Sequence, residues 1–357
     1  MTIRVALDVT PELVASAGVA RYSRELRRAL ERRDDCHVAP FALGRRCQPV
    51  PDRVRHYAVP LRIVHGAWRA VGLPSAEQLA GPADVVHSLD LVPPPTRRPL
   101  VITVHDTVTS ELPSLHGRRA TMLRERQLSA LHRAAAVLAV SASTAQSLLD
   151  SGVDAGRVHV TRNGLTRLPE PGRSPVRKTG FILMVGTLEP RKGHDLLLRA
   201  LAQAQLGDTQ VVFAGPAHGR AEELRALAAG LGVERQLTIL GRVEDSALAS
   251  LYRDAALLCM PSLAEGFGLP VLEGLAAGVP VLASDVPAIR ELVDGTGVLV
   301  PPGDVDALAR ALERVLADDP LRARLRRRGP ERAASFSWEA TAEATVRAYE
   351  SALSRDA

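Results

Sequence analysis

Short runs of β-branched and aliphatic residues alternate with helix-period segments from one end of this chain to the other, and no other feature restricts its fold as much. Parallel strands need crossover connections, so such a chain has to build parallel sheets wrapped by helices. In the first half the pattern predicts strands at Ile3–Leu7, Val85–His87, Leu100–Val104, Val137–Val140 and Val158–Thr161, and helices at Ala20–Glu31, Ala120–Ala135 and Thr144–Leu149. Leu168–Pro175 then holds three prolines and a glycine, a composition that breaks both helix and strand. A second alternation follows, with strands at Phe181–Val185, Gln210–Ala214, Leu237–Leu240, Ala256–Met260, Val281–Ala283 and Val298–Val300. Its helices are predicted at Asp195–Gln203, Ala221–Leu231, Pro270–Ala277 and Val305–Ala317.

A chain of 357 residues exceeds what one hydrophobic core usually supports, so each alternation is read as a domain of its own. The expectation is α/β: two Rossmann-like, doubly wound domains over residues 1–170 and 171–357, with a terminal amphipathic helix at about 337–353 placed to pack back on the first domain. No apolar run approaches the roughly 18 residues of a membrane span. The opening stretch is too short for the core of a signal peptide and contains Asp8, so a cytoplasmic protein is expected. Cys36, Cys47 and Cys259 lack metal-type spacing and read as packing residues in a reducing compartment.

The charge is uneven. Residues 1–170 carry 23 arginines against 16 acidic residues, and the remainder carries 22 basic against 24 acidic ones. A positive first half attracts anionic partners such as phosphorylated acceptors or acidic headgroups; a solvated arginine-rich surface is the plain alternative. Nucleic acid is not expected, because aromatics make up 3% of the chain and base stacking needs rings. Lys178 and Lys192 are the two lysines among 45 basic residues, which suggests that arginine does not serve at Lys192, although Lys178, in the proline-rich linker, shows that lysine also survives without an evident reason.

In open α/β sheets ligands bind beyond the carboxyl ends of the strands. After Phe181–Val185 comes Gly186-Thr187-Leu188-Glu189-Pro190-Arg191-Lys192-Gly193, which lacks the order of a phosphate loop but places two adjacent cations after a glycine. Arginine grips phosphate oxygens as a fork and lysine supplies a point charge, a combination suited to a leaving diphosphate. After Ala256–Met260 comes Pro261-Ser262-Leu263-Ala264-Glu265-Gly266-Phe267-Gly268-Leu269-Pro270-Val271-Leu272-Glu273. Pro270 suits a helix start, so Gly266, Phe267, Gly268 and Leu269 read as a loop whose amides face an anion, with Glu265 before it and Glu273 about one turn into the helix. Carboxylates accept hydrogen bonds from sugar or ribose hydroxyls; the plain alternative for Glu273 is a partner of the helix dipole.

These segments resemble the retaining glycosyltransferases of family 4, which have the GT-B fold, and their mannosyltransferase-like members in particular. The resemblance covers the whole chain: Glu265 and Glu273 match the Glu-x7-Glu motif, Gly186, Arg191, Lys192 and Gly193 the diphosphate motif, and Gly18-Val19-Ala20-Arg21-Tyr22 the amino-terminal glycine loop. It implies two domains facing across a cleft, the first for the acceptor and the second for a nucleotide sugar. Glu265 and the amides of Gly266–Leu269 would hold the sugar, Glu273 the ribose, Arg191 and Lys192 the departing diphosphate, and Gly18 would approach that diphosphate. His105, after Leu100–Val104, matches a histidine beside the reacting sugar, Arg242 and Val243 match the segment that touches the base, and Asn163-Gly164 the interdomain turn. The implied reaction is metal-independent transfer of a hexose with retention, by front-face attack, with no cofactor. Mannose from GDP-mannose is the leading donor and a UDP-sugar the alternative; the acceptor is a glycan, glycolipid or small molecule, as in polysaccharide biosynthesis.

Two rivals share the architecture: a nucleotide-sugar epimerase, and a non-catalytic partner that keeps the fold for binding. Asp304-Val305-Asp306 fits the manganese-binding pattern of another transferase fold, but its place at a helix start makes Asp304 an N-cap. Arg118, Arg119, Arg124, Arg126 and Arg133, with Met122, Leu123, Leu128 and Leu131, suggest a basic amphipathic helix and peripheral contact with the inner membrane face; an ordinary half-buried helix is the alternative. Lys192→Ala is expected to reduce turnover by orders of magnitude and leave the fold intact.

Overall fold

The computed structural model describes residues 2–14, 17–45, 50–89, 92–107 and 128–356. The chain divides into two compact units, one formed by residues 1–164 together with 337–357 and the other by residues 165–336.

In the first unit the strands are β1 (Ile3–Asp8), β2 (Cys36–Leu43), β3 (Arg55–Tyr57), β4 (Val85–Ser88), β5 (Leu100–Val104), β6 (Ala136–Ala139) and β7 (Val158–Val160). They form one sheet in the order β3-β2-β1-β4-β5-β6-β7, and every pairing is parallel. The central strands are buried along most of their length, as sheets covered by helices on both faces require. β2 and β3 were not expected from the sequence. β2 carries Pro40, which has no N–H to give to a neighbour, and β3 is three residues of Arg, His and Tyr without an apolar alternation.

Helix α1 (Ala17–Glu31) follows β1. Its Arg27 is buried against Glu12, with Nε 2.9 Å from Oε1, and also reaches Glu31 at 3.0 Å, so a paired internal charge ties the segment ahead of α1 to the last turns of that helix. Gly18 lies in the first turn of this helix, where a glycine loop was expected.

The division between the units falls after Gly164, ahead of the proline-rich stretch that marked it in the sequence. That stretch is held inside the second unit: Gly172 N–H donates to Ser246 O at 3.0 Å and its carbonyl accepts from Ser250 Oγ at 2.7 Å. A Cβ on Gly164 would lie 2.3 Å from the backbone nitrogen of Trp338, so glycine is needed there for close packing. The terminal helix, Trp338–Asp356, is counted with the first unit and enters its core. Thr341 Oγ1 donates to Arg162 O at 2.6 Å, and Tyr349 Oη lies 2.7 Å from Nδ1 of His87. His87 is fully buried on β4, and its Nε2 lies 2.8 Å from Oγ1 of Thr103 on β5.

The second unit has strands β8 (Phe181–Val185), β9 (Val211–Ala214), β10 (Leu237–Gly241), β11 (Ala255–Met260), β12 (Val281–Ser284) and β13 (Val298–Val300), again all parallel, in the order β10-β9-β8-β11-β12-β13. The strand order reverses between β8 and β11, the kind of crevice at which doubly wound sheets bind ligands. Helix α2 (His194–Gln203) follows β8, α3 (Asp245–Asp254) follows β10 and α4 (Leu269–Ala276) follows β11. An arginine-rich helix at Asp319–Ala333 went unpredicted, since its polar run and internal Pro330 hide the helical period. Asp304 caps its helix by accepting from Ala307 N–H at 2.8 Å.

Most of the basic stretch expected at 118–133, with Cys47, lies outside the described residues, and so does the membrane contact expected there. Among the described residues no helix is long and apolar enough to cross a membrane.

Burial lowers the pKa of His87 to about 3. The unfolded chain takes up a proton near pH 6.5 that native His87 refuses until about pH 3, so stability should fall as pH drops through that window, by up to about 1.4 kcal/mol per pH unit for this group. Trp68 and Trp338 both lie in the first unit and are the chain's two tryptophans, so urea unfolding followed by their fluorescence reports on that unit. The acid slope should be shallower in His87→Gln than in the parent.

Candidate active site

The residues at the β8–β11 switch point converge. Beyond β8 the chain makes a single turn at Pro190–Lys192, closed by Gly193 at φ 78°. A Cβ on Gly193 would lie 2.2 Å from the carbonyl oxygen of Pro261, so glycine lets this turn press against the segment that leaves β11. Leu263 N–H donates to Arg191 O at 2.7 Å and ties the two together. A Cβ on Gly215, after β9, would lie 1.9 Å from Gly186 O, and Gly215 N–H donates to Gly241 O at 2.8 Å. The ends of β8, β9, β10 and β11 therefore form one rim, which carries Gly186, Arg191, Lys192, Arg242, Val243 and Glu265.

Charge on this rim is concentrated around Glu265. Its Oε1 accepts from Lys192 Nζ at 2.6 Å and from Ser262 Oγ at 2.8 Å, while Arg191 Nη1 stands 3.7 Å from Oε2. Arg191 is oriented further by Glu189, at 3.0 Å, and by the carbonyl of Ala264, at 3.3 Å. Burial alone would push the Glu265 carboxyl up, but the charges of Lys192 and Arg191 and the hydrogen bonds from Lys192 and Ser262 hold it below the usual carboxylate range. An ammonium has three N–H donors, and Glu265 engages one of them. His194, behind the turn, is fully buried edge-on to Phe213; burial, then the charges of Arg220 and Lys192, lower its pKa to about 3, so it adds no charge at neutral pH.

The Glu265 loop runs into α4 through Gly268, whose φ of 100° suits glycine. The helix starts at Leu269, one residue earlier than expected, so Leu269 is helical and Pro270 occupies its second position. The positive end of α4 thus faces the rim. Phe267, expected to line the site, is buried and packs edge-on to Phe336 at 5.9 Å, so its ring belongs to the packing of the second unit. Glu273 is 6% exposed, and its Oε2 accepts from Tyr252 Oη at 2.9 Å.

His105 and Gly18 belong to the first unit. His105 follows β5, is half-buried, and has Nε2 3.3 Å from Leu89 O. Tyr22, one turn along α1 from Gly18, meets its ring edge-on at 4.7 Å and lies 3.5 Å from Thr103 Oγ1. Sequence reasoning missed Ser262, Tyr252 and Gly215. Ser262 had a local signal, three residues before Glu265, whereas Tyr252 meets Glu273 through tertiary packing alone.

Two parallel-sheet domains, the second with paired cations and carboxylates at its switch point, make up the architecture of the GT-B glycosyltransferases. Residues 172–332 match the family described as Glycosyl transferases group 1, and residues 16–166 match Glycosyltransferase Family 4. The chain is 34% identical over 276 residues to the MMP alpha-(1->4)-mannosyltransferase of Mycolicibacterium hassiacum, covering 72% of this chain and 66% of that protein, just under two thirds of its length. It is 30% identical over 264 residues to O-antigen chain mannosyltransferase B of Escherichia coli, covering 70% of this chain and 69% of that one. In fold it is similar to sucrose-phosphate synthase from Thermosynechococcus elongatus, with a TM-score of 0.79 and 24% identity over 98% of both chains. The chain belongs to the GT-B glycosyltransferases.

The 2.6 Å Lys192–Glu265 contact adds a stability cost to the loss of turnover expected of Lys192→Ala. The substitution should weaken the second unit, because it leaves a buried carboxylate with Arg191 as its remaining cation. Urea unfolding at pH 7, followed by circular dichroism, should show a loss of about 3 kcal/mol in the second unit, with much of it recovered in the double variant Lys192→Met/Glu265→Gln. Equal losses in the single and double variants would contradict the pairing.

Proposed function

We propose that this chain is a metal-independent retaining hexosyltransferase. Its second unit holds a nucleotide sugar and its first unit a glycan, glycolipid or small-molecule acceptor. The observation that carries this reading is the Lys192–Arg191–Glu265 cluster at the strand-order reversal, beside the positive end of α4. Two fixed side-chain cations there neutralise the charge that grows on a departing diphosphate, the part a metal plays in other transferases. Glu265 positions both cations and accepts hydrogen bonds from the sugar hydroxyls, while Glu273 accepts from the ribose. The amides of Gly266–Leu269 complete the sugar's contacts, the backbone of Arg242 and Val243 the base's, Gly186 and Gly18 let main chain approach the diphosphate, and His105 positions the reacting sugar.

No role falls to a covalent nucleophile. The leaving phosphate takes the acceptor hydroxyl's proton as the new bond forms on the face the diphosphate leaves, so the protein's part is orientation and charge stabilisation. Mannose is the preferred sugar and GDP-mannose the preferred donor, on the strength of the mannosyltransferases named above. An alpha-mannosyl product, such as the first relative's name specifies, retains configuration when it is made from the α-configured donor GDP-mannose.

Calorimetric titration with GDP, UDP, ADP and dTDP should show the tightest binding for GDP. Preference for UDP would overturn the GDP-mannose assignment, and binding of none would overturn the nucleotide-sugar reading. Donor turnover, measured as nucleotide release, should fall about 100- to 1,000-fold in Lys192→Ala. Conversion of donor alone into an epimeric nucleotide sugar would point instead to an epimerase.

A further inference from the structure

We propose that Tyr252 is a positioning residue for nucleotide recognition: it fixes the carboxylate of Glu273 in the plane from which that carboxylate grips the ribose. This rests on the assignment of Glu273 to the ribose made above.

Tyr252 is 1% exposed, near the end of α3, and its ring brings the hydroxyl up beneath the first turns of α4. The hydroxyl oxygen lies 2.9 Å from Glu273 Oε2 and 3.2 Å from the carbonyl oxygen of Pro270. A phenol has one proton to give. Within α4 the Pro270 carbonyl faces the amide four residues on, that of Gly274, so the helix already supplies it with a donor. The carboxylate is the nearer and the stronger acceptor, and it takes the phenolic proton.

The backbone under Glu273 is equally constrained. α4 packs so closely on β11 that a Cβ on Gly274 would lie 2.5 Å from Leu258 Cδ2. Between that backbone and the carboxylate lie three rotatable bonds, each free to turn unless a contact restricts it. A hydroxyl anchored on a different helix removes that freedom. Precise gripping of a diol needs the carboxylate plane held before the ligand arrives, since a carboxylate that must reorient loses binding to the ordering.

The readout that separates positioning from general support is discrimination between nucleotides that differ by one hydroxyl. Affinities of the full chain for GDP, 2′-deoxy-GDP and 3′-deoxy-GDP, measured by calorimetry, should show a preference of about 10- to 100-fold for GDP over at least one deoxy form. UDP and its deoxy forms replace these if UDP binds more tightly. Tyr252→Phe should cut that preference about tenfold and leave the affinities for the deoxy form and for inorganic pyrophosphate near the parent's. Glu273→Ala should remove the preference, and adding Tyr252→Phe to it should change nothing further.

If Tyr252→Phe keeps the parental preference while Glu273→Ala loses it, or weakens ribo and deoxy forms alike, the positioning role is wrong and the assignment of Glu273 stands. If Glu273→Ala keeps the preference, the assignment of Glu273 fails, and this inference fails with it. Should Tyr252→Phe not fold, 3-fluorotyrosine at position 252, whose more acidic hydroxyl is a stronger donor, must shift the preference; an unchanged preference would overturn the proposal.

Discussion

A buried ion pair organises the second unit of this protein. Lys192 and Glu265 sit on segments that leave two neighbouring strands, and their side chains are 11% and 6% exposed, at a separation of 2.6 Å. Charges withdrawn from water this far are tolerated only when their hydrogen-bonding capacity is met. The surroundings follow from that requirement. Ser262 adds a donor to the same carboxylate oxygen, Arg191 stands by the other, and Gly193 lets the two segments approach closely enough for the pair to form. Such a cluster is costly to assemble for stability alone, which is why its placement at the strand-order reversal carries functional weight.

The first unit uses a neutral version of the same economy of polar groups. His87, Thr103 and Tyr349 link two central strands to the terminal helix, and Tyr22 extends the chain of contacts to His105. Burial pushes the Tyr22 phenol up to about 12 and His87 down to about 3, so neither carries charge at neutral pH and the network serves as a fixed scaffold. The helix that closes the sequence is thereby a structural part of the unit that opens it.

Much of this was legible from residue order, and the exceptions have physical reasons. Arg191, Lys192, Glu265 and Glu273 stood out because glycine, proline and charge in short succession after a buried strand have few uses other than ligand binding, and the structure brings the first three within reach of one another. Strand Cys36–Leu43 was hidden by Pro40, and the helix at Asp319–Ala333 by its arginines, since local composition there opposes a state that tertiary packing imposes. The compact units divide a few residues ahead of the prolines, after Gly164, for a related reason. Prolines at 169, 171 and 175 mark a break in secondary structure, whereas Gly164 earns its place from Trp338, a residue far along the chain. Tyr252 was invisible because nothing in its own helix announces that its hydroxyl meets Glu273.

The proposed function requires the ends of β8 and β11 to receive a nucleoside diphosphate together. Hydrogen–deuterium exchange of the full chain with and without saturating GDP tests it directly. Exchange should slow mainly in peptides covering residues 186–193 and 261–273. Protection that leaves both segments unchanged while GDP is bound elsewhere would contradict it.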